Sequence, residues 1–253
     1  MLGVLAMLAA LAGWLVLIRL WQRLANPHPE WARKLLHIGV GMVGFGFPFV
    51  IASRSPVWIT CTLAALTMLA LRLYKPLKNG LGGVLSSVNR VSLGEFYFLL
   101  GLPALFTLSQ GGALYGTALA ILTFADAAAA LVGTFHGKHR FGDYPDAKSL
   151  EGTLTFFAVS FVICLTGLSV NGLGPLEATL AALTVSVMMA LLEAVARDGL
   201  DNLLLPVCAY LLLRALSGLD AGALGVAFLT ALVIVIGVAP WNELRRGWSH
   251  ETR

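Results

Sequence analysis

Residues 113–134 read ALYGTALAILTFADAAAALVGT, a stretch whose single ionisable group is Asp126. A bilayer core about 30 Å thick needs roughly 20 apolar residues in a helix, and this run meets that length. Backbone groups in hydrocarbon must satisfy one another, which a helix does and a lone strand does not. A barrel strand would alternate apolar and polar positions, whereas here the apolar run is continuous. The stretch therefore predicts a membrane-spanning helix with a carboxylate toward one end.

The same template, carried outward, marks apolar runs at 2–21, 35–51, 56–73, 93–108, 152–170, 176–196, 203–216 and 221–240. With 113–134 they make nine expected spans, the second and eighth of them short. Composition agrees: of 253 residues 58% are hydrophobic and 12% charged, with a mean hydropathy of +0.84. A soluble domain carries about 25% charged residues, so the chain falls outside that class. The expected fold is all-α, a polytopic integral membrane protein forming a single domain over 1–253. No soluble domain, low-complexity tract or internal repeat stands out. The first run is read as a retained span rather than a signal peptide, because Arg19 and Arg23 follow it instead of preceding it.

Cations test that division. With the N-terminus outside, the loops assigned to the cytoplasm hold all but two of the 17 Lys and Arg residues; Arg54 and Arg214 are the exceptions. A missed or invented span would have broken this bias partway along the chain, so the expected topology is N-out and C-in. The net charge of +4 then reflects topology. No basic stripe interleaved with aromatics suggests nucleic acid. Cys61, Cys164 and Cys208 lie apart within apolar runs and read as small buried hydrophobes. Gly39, Gly41, Gly44 and Gly46 in the second span are expected to permit close helix packing.

Ionisable residues in or beside a span are costly and by default mark function. Here they gather on the inner side: Arg33, Lys34 and His37 opening span two, Arg90 and Glu95 flanking span four, and Asp126 in span five. Glu193 near the end of span seven, then Asp201 and Asn202, complete the set. Asp126 has no cation in its own helix and needs a partner, either a metal or a residue from another span. Arg33 and Lys34 also suit plain interfacial anchors, and Glu193 with Arg197 a simple i,i+4 pair. The longest inner loop, from Gly133 to Thr153, combines Gly133, Gly137, Lys138, Lys148 and Ser149 with a helix start at Glu151-Gly152. Glycines let backbone approach phosphate oxygens, and a helix N-terminus offers N–H donors. No GxxxxGK[ST] P-loop occurs in the chain.

Together these segments resemble the polyprenol kinase family, which includes phytol, farnesol and dolichol kinases and CTP-dependent diacylglycerol kinases. The matching pieces are Arg33-Lys-Leu-Leu-His37, Asn89-Arg-Val-Ser-Leu-Gly-Glu95, Asp126-Ala-Ala-Ala-Ala-Leu-Val-Gly133, Gly137, Lys148-Ser-Leu-Glu-Gly152, and Glu193 with Asp201-Asn202. They occur in the family's order across residues 33–206, and the Asn89–Glu95 element looks most like phytol kinase. The resemblance implies a multi-pass membrane enzyme phosphorylating a lipid alcohol at the cytoplasmic face, typically with CTP and Mg²⁺.

On that footing Asp126 is the first-choice Mg²⁺ ligand, with Glu193, Asp201 and Asn202 as the others, since this ion takes hard oxygen donors. The catalytic set is Asp126, Lys148, Glu193 and His37. Arg33, Lys34, Arg90, Gly133, Gly137, Lys138, Lys148, Ser149, Glu151 and Gly152 would hold the nucleoside triphosphate. Glu95 and His37 would position the hydroxyl. His37, Asp126 and Glu151 all remain open as the base. A more distant likeness to CDP-diacylglycerol synthases leaves cytidylyl transfer as an alternative, although Asp146-Ala-Lys-Ser-Leu-Glu-Gly152 lacks the longer run of those enzymes. A transporter would line a path across the bilayer with charge, and the outer half is nearly empty of it. Neither the alcohol's length, the nucleotide base nor the oligomeric state is legible.

Overall fold

The computed structural model describes residues 1–51, 53–74, 93–142 and 147–238. Among the described residues nine helices occupy the nine apolar runs. They are α1 (Leu2–Ala25), α2 (Pro29–Val50), α3 (Arg54–Leu73), α4 (Gly94–Ser109), α5 (Ala113–His136), α6 (Leu150–Val170), α7 (Pro175–Val195), α8 (Asp201–Leu216) and α9 (Ala221–Val238). Six of them, α1, α3, α5, α6, α7 and α9, are long and apolar enough to cross a membrane. The α2 helix has 22 residues, but Glu30, Arg33 and Lys34 occupy its first turns. At 16 residues each, α4 and α8 would span about 24 Å, less than a bilayer core.

Chain chemistry sets several helix ends. Pro29 stands at the first position of α2, where its missing N–H is no loss, and His28 Nδ1 accepts from the Glu30 N–H at 3.2 Å. That cap starts α2 six residues before the expected apolar run, so Arg33 and Lys34 are already helical. The loop between α5 and α6 closes as a two-stranded antiparallel ribbon, β1 (Arg140–Phe141) with β2 (Lys148–Ser149), pairing Phe141 with Lys148. Ser149 ends β2 and caps α6, its Oγ accepting from the Gly152 N–H at 3.1 Å.

The core lies among α4 to α8, with α6 running along both α7 and the second half of α5, and α4 against α8. The α2 helix enters this core through its glycines. A Cβ on Gly39 would fall 1.9 Å from Trp14 Nε1, one on Gly41 2.2 Å from Thr123 Oγ1, and one on Gly44 2.7 Å from Leu102. Small residues thus bring α2 close to α1, α4 and α5, as expected from sequence.

One feature of α5 has no sequence signature. Residues Ile121–Ala125 form a π-turn in which the Asp126 N–H reaches back to the Ile121 carbonyl. Such bulges leave a main-chain carbonyl free for other partners and recur at functional sites. Here the turn sits immediately before the buried carboxylate.

Candidate active site

Asp126 is buried in the bundle at 5% exposure and its partner comes from α2. Lys34, 3% exposed, donates from Nζ to Asp126 Oδ2 at 2.6 Å. One helical turn on, His37 Nε2 lies 3.3 Å from the same oxygen and 2.9 Å from the Leu122 carbonyl within the π-turn. Three residues separate Lys34 from His37, which puts both on one helical face, while Arg33 turns away and pairs with Glu30. An unpaired charge at this depth would cost several kcal/mol, so the pair explains how a carboxylate survives among apolar helices.

A second charged group lies at the same end of the bundle. Lys148 on β2 reaches Glu193 Oε1 of α7 at 2.5 Å and Asp201 Oδ2 of α8 at 3.2 Å. Burial pushes its pKa down, but Glu193 and Asp201 outweigh burial and hold it above the ordinary lysine value, with a smaller pull from Asp126. Lys148 is therefore a firmly protonated ammonium, and Asp126 acts on it electrostatically without touching it. Glu193 Oε2 is buried and has no hydrogen-bond partner.

The loop residues expected to cradle phosphate serve packing first. A Cβ on Gly133 would sit 3.0 Å from Ser149 Oγ, one on Gly137 2.3 Å from the Gly133 carbonyl, and one on Gly152 2.9 Å from the Ala129 carbonyl. The three glycines let the end of α5 and the start of α6 close around Ser149, which is buried and committed to its cap. Glu151 accepts from the His139 N–H and lies 2.7 Å from His139 Nδ1, tying the loop to α6. Lys138 is exposed. Arg140, also exposed, donates to the Gly133 carbonyl at 3.1 Å.

Between α2, α3, α4 and α8 a narrow, open cleft adjoins the first charged group through His37. Arg33, His37, Glu95 and Asn202 supply polar atoms, and Met68 and Phe98 contribute apolar wall. Arg72 donates to Glu95 Oε2 at 2.6 Å and lies over the Phe96 ring. Asn202 is 8% exposed, and among the described residues its Oδ1 has no partner.

The structure thus sorts the expected site residues into neighbouring groups: Lys34, His37 and Asp126; Lys148, Glu193 and Asp201; Arg33, Glu95 and Asn202 around the cleft. Arg90 lies outside the described residues. Asp126, the first-choice metal ligand from sequence, has Oδ2 committed to Lys34 and His37, and Asn202 faces the cleft. Among the described residues no three His, Cys, Asp or Glu side chains form a metal cage. Mg²⁺ seldom needs one, binding through one or two carboxylates plus phosphate oxygens. Glu193 and Asp201, which converge on one ammonium, and the unpartnered Glu193 Oε2 fit that demand. Arg72 and His139 escaped the sequence reading. Only the position of Arg72 in the last turn of α3 hints at a partner across the cleft.

Compared with curated proteins, the chain is 32% identical over 212 residues to the phytol kinase of Synechocystis sp., covering 80% of this chain and 86% of that protein. No family model matches the chain, and no solved structure does.

Proposed function

Because this similarity makes the chain a member of the polyprenol and phytol kinase family, and so a lipid alcohol kinase, we propose that it phosphorylates an isoprenoid alcohol such as phytol. In this reading CTP is the donor, and all nine helices lie in the membrane, N-out and C-in. The polar end of the bundle then faces the cytoplasm, the orientation favoured by the cation bias. The observation that carries the reading is the junction of two unlike surfaces. Lys148 is held by Glu193 and Asp201, and Asn202, the next residue after Asp201 on α8, lines a cleft whose wall mixes polar and apolar side chains. Such a junction suits a donor confined to water and an acceptor confined to lipid.

Phosphoryl transfer asks for positioning and for neutralisation of charge, with little covalent chemistry from the protein. Lys148 is charged, anchored and within electrostatic reach of Asp126, and it opposes the negative charge of the transferring group. Glu193 and Asp201 would hold Mg²⁺, which supplies charge neutralisation on the triphosphate when bound. Exposed Lys138 and Arg140, with backbone N–H groups of the 133–137 segment, offer further phosphate contacts. Lys34 and Asp126 neutralise each other and brace α2 against α5, which fixes His37 at the cleft. Glu95, held by Arg72, and Arg33 border the opening through which the hydroxyl arrives.

Purified protein in lipid nanodiscs, given CTP, ATP, GTP or UTP labelled at the α or γ position and a panel of phytol, farnesol, undecaprenol and diacylglycerol, tests this. Label from the γ position of CTP should appear in phytyl or farnesyl phosphate. Transfer of the α-phosphorus with its nucleoside would establish the cytidylyl-transfer alternative. Absence of transfer from folded protein with every pair would defeat the reading.

A further inference from the structure

Three groups compete for the proton that leaves the acceptor hydroxyl, and the structure separates them. Asp126 has Oδ2 engaged by a buried ammonium at 2.6 Å. The carboxylate of Glu151 is occupied by the main chain and ring of His139. His37 is arranged differently. Its Nε2 lies 2.9 Å from the Leu122 carbonyl, which accepts and cannot donate, so Nε2 carries the hydrogen. A neutral ring then keeps its lone pair on Nδ1. No other described group bonds to Nδ1, and the side chain lines the cleft. Phe98 packs edge-on against the ring at 4.7 Å between centroids and fixes its plane.

The geometry points to His37 Nδ1 as the base that takes the proton from the lipid hydroxyl in the cleft. This rests on the kinase reading and deepens it. The hydroxyl O–H bond breaks with its proton passing to Nδ1. The oxygen forms a bond to the γ-phosphorus while the bond from that phosphorus to the bridging oxygen breaks, and the nucleoside diphosphate leaves with the electron pair. The resulting imidazolium faces Asp126 Oδ2, 3.3 Å from Nε2, and gives its proton to water as product departs. The π-turn supplies the fixed tautomer, because the Leu122 carbonyl it presents decides which ring nitrogen is bare. The groups around the ring are Arg33 and Lys34 from its own helix, Asp126 from α5 and Glu95 from α4. Asp126 alone of these touches it with negative charge.

The test is His37→Gln, whose amide N–H retains a donor for Leu122 while the base is lost. General-base catalysis contributes about 100-fold or more, so kcat should fall by at least that factor with KM for alcohol and nucleotide unchanged. An acceptor fluorinated beside the carbinol carbon, whose hydroxyl is more acidic, should recover much of the lost rate in the variant. A merely structural role would depress both acceptors equally. Should H37Q not fold, His37→Ala assayed with added imidazole gives the same readout, restored transfer supporting the assignment and none overturning it. Active wild type with H37Q at wild-type kcat, or equal losses on both acceptors, overturns the role of His37 alone. Wild-type protein that phosphorylates no alcohol removes the underlying reading instead.

Discussion

Replacing Asp126 by Asn should destabilise the protein before it says anything about catalysis. The substitution removes one partner of an ion pair closed at 2.6 Å, with Lys34 only 3% exposed. At an effective dielectric constant near 20, charges at that separation attract by about 6 kcal/mol. Part of that offsets the desolvation of both ions, so losing the carboxylate alone should cost about 3–5 kcal/mol by stranding the ammonium. Pairing D126N with Lys34→Met removes the stranded charge and should recover most of the loss. Unfolding of the four proteins of this cycle, followed by circular dichroism in mixed micelles of increasing sodium dodecyl sulfate, gives the coupling energy. A value of about 2 kcal/mol or more is expected. A value within about 0.5 kcal/mol of zero, the scatter seen for independent sites, would refute the buried pair as the brace between α2 and α5.

Other expectations follow from the same coordinates. Gly137→Ala puts a methyl 2.3 Å from the Gly133 carbonyl and 2.7 Å from Ser149 Oγ, so melting temperature and activity should both drop. Gly225→Ala meets nothing within 4 Å and should leave both unchanged. Glu193→Gln keeps the side-chain volume but weakens the acidic pair on Lys148, and Mg²⁺ titration of activity should shift to higher concentration by about tenfold or more. Arg72→Ala frees Glu95 at the cleft, and steady-state kinetics should show a raised KM for alcohol with kcat nearly unchanged.

Helix positions are legible because hydrocarbon enforces a plain rule, continuous apolarity over a bilayer's depth, and α1, α3, α5, α6, α7 and α9 follow it. The need of Asp126 for a partner was legible for the same reason, since a lone carboxylate cannot stay charged there. The identity of that partner was not. Lys34 stands 92 positions away, and at sequence level it looked as much like an interfacial anchor as a buried ion. The consequence is structural: the Asp126 carboxylate joins α2 to α5 through Lys34 and His37, while Glu193 and Asp201 converge on Lys148. The loop glycines carry a related ambiguity. Phosphate approach and helix-to-helix approach both call for a missing Cβ, and only coordinates show that Ser149 fills the space. The π-turn at Ile121–Ala125 carries no residue that advertises it, yet it fixes how His37 is held.

The proposed site requires Lys148 to meet the donor's terminal phosphate. A nucleotide bearing a reactive acyl group on its γ-phosphate acylates whichever lysine lies against that phosphate, and peptide mass spectrometry then locates the adduct. Labelling is expected at Lys148, suppressed by excess CTP and not abolished by Glu193→Gln, which loosens the lysine. Suppressible labelling at another lysine, with Lys148 unmodified in folded and active protein, would contradict that requirement.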